Sequence, residues 1–143
     1  MNELNEKLLD ANYKAWCQHD VDKIAGYFTD DSVYEDMAMG VIFNGREQIA
    51  DFAREVFKTM PDFHVAYTKR FADETFGAGQ WVIKATWNGD FEGVDCTGKR
   101  IEFTGLSFYR FSDGKICRAQ DCWDFSVMME AFGVLRESLR TIQ

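Results

Sequence analysis

The stretch IEFTGLSFYRFSDGKICRAQDCW, residues 101–123, decides the fold. Two long runs rich in β-branched and aromatic residues flank SDGK at 112–115. An Asp-Gly pair between two such runs is typical of a tight hairpin turn, because both residues tolerate a positive φ. The stretch therefore predicts two long antiparallel strands joined by a hairpin.

Both faces of the predicted sheet carry large apolar side chains. In the strand 103–111, Phe103, Ser107 and Tyr109 share one face, and Leu106 and Phe108 share the other. In 80–88, Trp81, Ile83, Ala85 and Trp87 alternate in the same way with Val82, Lys84, Thr86 and Asn88. A sheet with one face exposed to solvent would carry mostly polar side chains on that face. We expect one face to line a pocket and the other to pack against a second copy, which predicts a homodimer.

The rest of the chain predicts helices first and strands later. Helices are expected over 2–18, over 21–28 with Asp20 as N-cap, from Asn44 (a capping box with Glu47) to Met60, and over 125–139. A turn is expected at TDD, 29–31, and strands over 32–39, 63–72, 79–94, 99–111 and 115–123. Separate helices and strands predict an α+β fold: one domain over 1–143, a cone-shaped, curved antiparallel sheet wrapped by the N-terminal helices and closed by the last helix.

Charge and composition exclude several classes of partner. The net charge of −8 argues against binding nucleic acid, which needs a positive field. We find no basic amphipathic anchor, no run long enough to cross a membrane and no signal peptide, and we expect a cytoplasmic protein. The four cysteines show no C-x-x-C spacing, and two scattered histidines are too few for a zinc site. No metal or cofactor is predicted.

Aromatic residues are unusually frequent, with 13 Phe, four Trp and five Tyr. They fit either an aromatic core or an aromatic-lined cavity for a hydrophobic small molecule. The composition alone leaves these two alternatives open. Met37 to Phe43 poses a similar choice between ordinary core and a lid over a ligand.

Three stretches carry a resemblance to a known family: AWCQHDVDKIAGYFTDDSVYED (15–36), NGREQIADF (44–52) and GLSFYRFSDGKICRAQDCWDFSVMMEAFG (105–133). On these stretches, the chain resembles the nuclear transport factor 2-like superfamily and, within it, the SnoaL-like polyketide cyclases. It implies the cone-shaped fold strongly and the reaction only weakly, because this fold hosts many chemistries and some members that only bind.

The resemblance implies that Asp121 is the acid/base, since SnoaL-like cyclases carry an Asp on the last strand just before the final helix. Limonene-type epoxide hydrolases would also place an Asp at 121 and a water-binding Tyr at 34. Their remaining Arg and Asp would fall on Lys84 and Thr86, which disfavours epoxide hydrolysis. Ketosteroid isomerases place their Asp base at Asp36.

That isomerase pattern lacks its oxyanion donors here, because the corresponding positions hold Asn12, with Tyr13 next to it, and Ser107. Scytalone dehydratase-like enzymes require pocket histidines, and neither His19 nor His64 occupies such a position. Asp121 and Asp36 are therefore the candidate catalytic residues.

A carboxylate on an apolar strand face should have a raised pKa, which suits removal of a proton next to a carbonyl. Candidate substrate-binding residues and donors are Tyr34, Lys84, Ser107, Tyr109, Trp123, Trp16 and Phe103. Asp124 is expected to cap the last helix. The leading hypothesis is cofactor-free acid/base catalysis on a hydrophobic carbonyl compound, as in aldol cyclases. The alternative is a binding or protein-association module of the same fold.

Overall fold

A computed structural model describes residues 2–134 of the chain. The helices are α1 (Glu3–Cys17), α2 (Val21–Gly26), α3 (Gly45–Thr59) and α4 (Phe125–Ala131). The strands are β1 (Phe28–Asp36), β2 (Val41–Asn44), β3 (His64–Ala72), β4 (Phe76–Thr86), β5 (Asp90–Phe91), β6 (Val94–Asp95), β7 (Arg100–Ser112) and β8 (Lys115–Trp123).

Six strands form one curved, unclosed sheet in the order β2-β1-β8-β7-β4-β3. All neighbouring pairs are antiparallel except β1 and β8, which are parallel. The short strands β5 and β6 pair separately. The predicted α+β class and curved sheet are confirmed, with α1 packing on β3 and α3 on β1.

Asp20 and Asp124 were correctly predicted as N-caps, and the structure adds Asn2. Asn2, Asp20 and Asp124 each accept a hydrogen bond from a backbone N–H in the first turn of α1, α2 and α4. Asp113 and Gly114 both have positive φ, as the predicted hairpin between β7 and β8 requires.

Several predictions about the elements were wrong. The strand expected over 79–94 is divided among β4, β5 and β6. Thr29 to Asp31 belong to β1 rather than to a turn, because α2 already ends at Gly26 and the strand begins at Phe28. Asn44 occupies the N-cap position of α3, but its side chain makes no cap, and Gln48 accepts from its backbone N–H in place of Glu47.

The last helix is also shorter than expected. It ends at Ala131, and Gly133 with φ 72° follows it. Residues 135–139 of the predicted helix lie outside the described residues.

A one-residue bulge in β8 decides which way Asp121 points. Phe111 pairs with Ile116 next to the turn, whereas Ser107 pairs with Asp121 further along, so Cys117 has been skipped. A hairpin without the bulge would set Asp121 opposite Leu106 on the outer face. Strict alternation back from Asp121 would place Cys117 on the same face, but Ile116 takes that inner place because of the bulge.

Candidate functional site

The concave side of the sheet and the helices enclose a cavity of about 330 Å³. Most of its wall is aromatic or aliphatic. The aromatic lining residues are Tyr13, Trp16, Tyr34, Phe52, Phe63, Tyr67, Trp81, Trp87, Phe91, Phe103, Tyr109 and Trp123. The composition fitted either an aromatic core or an aromatic-lined cavity, and the structure contains the cavity.

Asp121 lines this cavity and accepts hydrogen bonds on both carboxylate oxygens. The Tyr34 hydroxyl donates to Oδ2, from the neighbouring strand β1. The Ser107 hydroxyl donates to Oδ1 at 2.5 Å, from the directly opposite position on β7. Neither Lys84 nor Arg118 pairs with Asp121. Arg118 pairs with Glu35, and Lys84 lies near Glu102.

Trp81 fixes the direction of the Ser107 hydroxyl. The indole Nε1 of Trp81 donates to Ser107 Oγ at 2.7 Å, and both side chains are buried. An indole N–H can only donate, so the serine oxygen must accept from it. The serine hydrogen is then free to point at Asp121. The two hydrogen bonds therefore run in a single direction, from Trp81 through Ser107 to Asp121.

Gly105 makes this arrangement possible. The Trp81 ring crosses β7 directly over Gly105, where a Cβ atom would overlap the ring. The glycine is therefore required for close approach of a side chain to the strand rather than for its φ angle.

Burial raises the pKa of Asp121 to about 6, in spite of the hydrogen bonds from Ser107 and Tyr34, which lower it; the nearby charge of Asp36 adds to the rise. Burial likewise raises the pKa of Tyr109 to about 12 and that of Tyr34 well above its usual range. Both tyrosines therefore keep their protons at neutral pH, and Asp121 can exchange its proton near neutrality.

Asp36 lies beside Asp121 in the parallel register of β1 and β8 and lines the same cavity. Its donors are of a different kind. Trp123 Nε1 lies 3.1 and 3.2 Å from the two carboxylate oxygens, and the backbone N–H of Met39 donates to Oδ1 at 3.0 Å. Neither donor can rotate away as a hydroxyl can, so Asp36 anchors Trp123 and the turn after β1.

The structure brings together eight of the nine predicted site residues. Asp121, Asp36, Tyr34, Ser107, Tyr109, Trp123, Trp16 and Phe103 all line the cavity. Lys84 does not: it follows Ile83 on β4, so its side chain leaves the opposite face, where it is exposed and lies 3.9 Å from Glu102. Lys84 as a donor to the ligand is a wrong prediction.

Several functional candidates were missed from the sequence. The hydroxyls of Tyr67 and Tyr109 are 2.8 Å apart in the cavity wall. Trp81 and Trp87 also face the cavity. The alternation of β4 already placed both tryptophans on one face, but only the curvature of the folded sheet shows which face is inside.

The stretch after Asp36 lies at the opening of the cavity. Met37 and Ile42 are exposed, so this segment is not ordinary core. Met39 is exposed and also lines the cavity, while Phe43 stacks on Phe52 with ring centroids 4.5 Å apart.

Within residues 2–134, no group of three or more His, Cys, Asp and Glu side chains is arranged to hold a metal ion. In the same part of the chain, no helix is long and apolar enough to span a membrane.

Solved structures share this fold over almost the whole chain. AclR from Streptomyces galilaeus, provisionally described as a hydroxylase, has a TM-score of 0.78 and 24% identity, covering 92% of this chain and 96% of its own. A SnoaL-like polyketide cyclase from Agrobacterium tumefaciens has a TM-score of 0.75 and 22% identity, covering 91% and 98%. At these identities, the likeness shows the fold.

A third structure extends the same fold class to the ketosteroid isomerase-like proteins. A protein of this fold from Catenulispora acidiphila, in complex with trimethylamine, has a TM-score of 0.77 and 20% identity, covering 90% of this chain and 93% of its own. None of the curated proteins matches the sequence significantly.

The family model for SnoaL-like polyketide cyclases matches residues 6–132. The matched region contains both candidate carboxylates and all the described residues that line the cavity. The chain belongs to the SnoaL-like polyketide cyclase family, and the expected resemblance is confirmed.

Proposed function

We propose that the protein is an acid/base enzyme that acts on a hydrophobic carbonyl compound, with Asp121 as the proton-transferring group. The observation that carries this proposal is the environment of Asp121. The carboxyl lies in an apolar cavity, its pKa is raised to about 6, and it has hydroxyl partners rather than a cation. A carboxyl of this pKa can be deprotonated at pH 7 and still be a competent acid.

In the proposed reaction, the Asp121 carboxylate removes a proton from a carbon next to a carbonyl, leaving an enolate and a protonated Asp121. The enolate carbon attacks a second carbonyl of the same molecule, which forms a carbon–carbon bond and an alkoxide. Asp121 then returns its proton to the alkoxide. The product is an isomer of the substrate, so the step requires no oxidant, reductant or cofactor.

Tyrosine hydroxyls are the proposed donors to the enolate oxygen. In the pair of Tyr67 and Tyr109, one hydroxyl donates to the other, so one proton remains for a ligand. Tyr34 becomes a second donor once Asp121 is protonated, because a neutral carboxyl accepts a hydrogen bond more weakly than a carboxylate. Donors of this kind stabilise charge where it develops.

Proton exchange in a model ketone tests the proposal without knowledge of the natural substrate. The probe is 2-indanone in D₂O, and NMR measures enzyme-dependent replacement of its α-protons by deuterium. We expect the wild-type protein to accelerate exchange and Asp121→Asn to lose about 100-fold or more of that acceleration.

Asp36→Asn is the matched comparison, since it removes the neighbouring carboxylate from the same cavity. An isomerase-like role for Asp36 would make this variant inactive and leave Asp121→Asn active, which would contradict the proposal. Unchanged exchange in both variants would favour the alternative, in which the cavity only binds its ligand.

We also propose that the outer face of β3, β4 and β7 packs against a second copy of the chain. Phe71, Phe76, Leu106 and Phe108 are exposed there, and the rings of Phe76 and Phe108 lie 6.1 Å apart. Phe108→Glu should convert a dimer to a monomer in analytical ultracentrifugation, whereas a monomeric wild type would contradict the proposal.

A further inference from the structure

Among residues 2–134, the charged groups that line the cavity are all acidic. Asp36 and Asp121 lie in its wall, and Glu55 and Asp90 are exposed residues that also contact it and therefore mark its opening. The wall built by the described residues contains no Lys, Arg or His side chain. A cleft lined by one sign of charge concentrates its field on an entering ligand.

The same wall offers π faces to a cation. Twelve aromatic residues line the cavity, among them all four tryptophans of the chain. Trp123 also stacks on Phe103, with ring centroids 4.6 Å apart, and its indole N–H is held by Asp36. An ammonium group near such rings is attracted by their quadrupoles, and the attraction is larger where water is excluded.

A buried acceptor in the cavity wall has no partner. Asn12 lines the cavity and is only 4% exposed, and its Oδ1 makes no hydrogen bond with any residue of the range 2–134. A buried carbonyl oxygen without a hydrogen-bond partner is unfavourable. A ligand that brings an N–H or O–H donor would pair with this oxygen after a small side-chain adjustment.

We propose that the cavity selects apolar ligands that carry an ammonium group and rejects anionic ligands of the same shape. The selecting groups are the carboxylate of Asp36, the carboxylates at the opening and the surrounding aromatic rings. The inference deepens the proposed function and rests on it in one respect, because both take this cavity as the site of the ligand. It adds that the natural substrate bears a basic nitrogen in addition to its carbonyl.

Three para-substituted benzenes of similar size test this selection. The cation is 4-hydroxyphenyltrimethylammonium, the neutral isostere is 4-tert-butylphenol, and the anion is 4-tert-butylbenzoate. Isothermal titration calorimetry at pH 7 and low salt measures each dissociation constant on the wild-type protein. We expect the cation to bind about tenfold tighter than the neutral compound, and the anion to bind most weakly.

Variants identify the groups responsible. Asp36→Asn should remove most of the preference for the cation, measured as the ratio of its dissociation constant to that of 4-tert-butylphenol. Glu55→Gln should reduce the preference by about two- to threefold. In the wild-type protein, added salt should also reduce the preference, because Glu55 is exposed to solvent. Asp51→Asn is the matched control, since Asp51 is an exposed carboxylate on the same helix that does not line the cavity and pairs with Arg54.

Equal or weaker binding of the cation overturns the inference, and so does a preference that survives Asp36→Asn or that disappears in Asp51→Asn. Failure of both the cation and the neutral compound to bind also overturns it, since the cavity should hold either. A different result would contradict the proposed function, namely ketone exchange that survives in Asp121→Asn. That variant should keep a preference for the cation, so the two failures are distinguishable.

Discussion

Asp121 and Asp36 are the same residue type, occupy paired positions on adjacent strands and line one cavity, yet their hydrogen-bond donors differ. Asp121 is held by the hydroxyls of Ser107 and Tyr34, and Asp36 by an indole and a backbone N–H. A hydroxyl can rotate, and it can accept as well as donate. The partners of Asp121 can therefore adjust when it gains a proton, whereas the donors to Asp36 suit only an acceptor.

This difference indicates that the chemistry of a buried carboxylate depends on the kind of donor that surrounds it. Asp36 accepts from N–H donors that cannot rotate, and it thereby holds the turn and the Trp123 ring at the cavity wall. Hydroxyl donors leave Asp121 free to change its protonation state without leaving a buried polar group unpaired. Substitutions of Gly105, of Asp121 itself and of single hydrogen-bond donors test this difference.

Gly105→Ala should have the largest effect on stability. The added methyl group overlaps the Trp81 ring, so Trp81 must move and its bond to Ser107 is lost. We expect the free energy of unfolding to fall by about 3 kcal/mol in chemical denaturation, together with loss of ketone exchange. Gly26→Ala is the control, because no atom lies within 4 Å of the added Cβ, and its stability should be unchanged or slightly higher.

Asp121→Asn should change the pH dependence of stability. The carboxyl has a pKa of about 6 in the folded protein and about 4 when unfolded, so it binds its proton more tightly in the fold. Its contribution to stability is therefore fully present below about pH 4 and is lost as the pH rises through 6. Because Asn does not titrate, the variant should gain about 2 kcal/mol relative to wild type between pH 4 and pH 8.

Thermal or chemical unfolding at a series of pH values measures this gain. A constant difference between the two proteins would contradict the raised pKa of Asp121. A relative loss for the variant as the pH rises would indicate that the ionised carboxylate is stabilised in the fold.

Removing one donor from each carboxylate has a smaller effect and separates their roles. Ser107→Ala takes away a hydrogen bond that lowers the pKa of Asp121, so the pH profile of ketone exchange should shift to higher pH. Trp123→Phe takes away a donor to Asp36 and should cost about 1 kcal/mol of stability without shifting that profile. Equal shifts in the two variants would mean that Asp36 takes part in the proton transfer.

Local signals in the sequence predicted much of the fold. Asp20 and Asp124 cap helices, and the turn at 112–115 joins two long strands, because each depends on residues within a few positions of it. Strand alternation also predicted which residues of β4 share a face with Trp81 and which residues of β7 share a face with Ser107. The family resemblance then pointed to Asp121, which the structure locates in the cavity.

The rest depends on packing that no local pattern contains. The bulge at Cys117 sets Asp121 opposite Ser107, and a strict alternation from the hairpin turn would have turned it outward. Lys84 was predicted as a donor to the ligand, but only the curvature of the folded sheet shows that its face of β4 is the outer one. Tyr67 was missed because its partner, Tyr109, is 42 residues away in the chain.

A site-resolved titration of Asp121 tests the central claim most directly. With ¹³C-labelled aspartate, NMR can follow the side-chain carboxyl signal of Asp121 in the ligand-free protein from pH 3 to pH 9, and Asp121→Asn assigns the signal by its absence. The expected midpoint is about 6, set by burial in the cavity against the hydrogen bonds from Ser107 and Tyr34. A midpoint near 4 or below would contradict the account, because Asp121 would then be an ordinary stabilised carboxylate rather than a group that exchanges its proton near neutral pH.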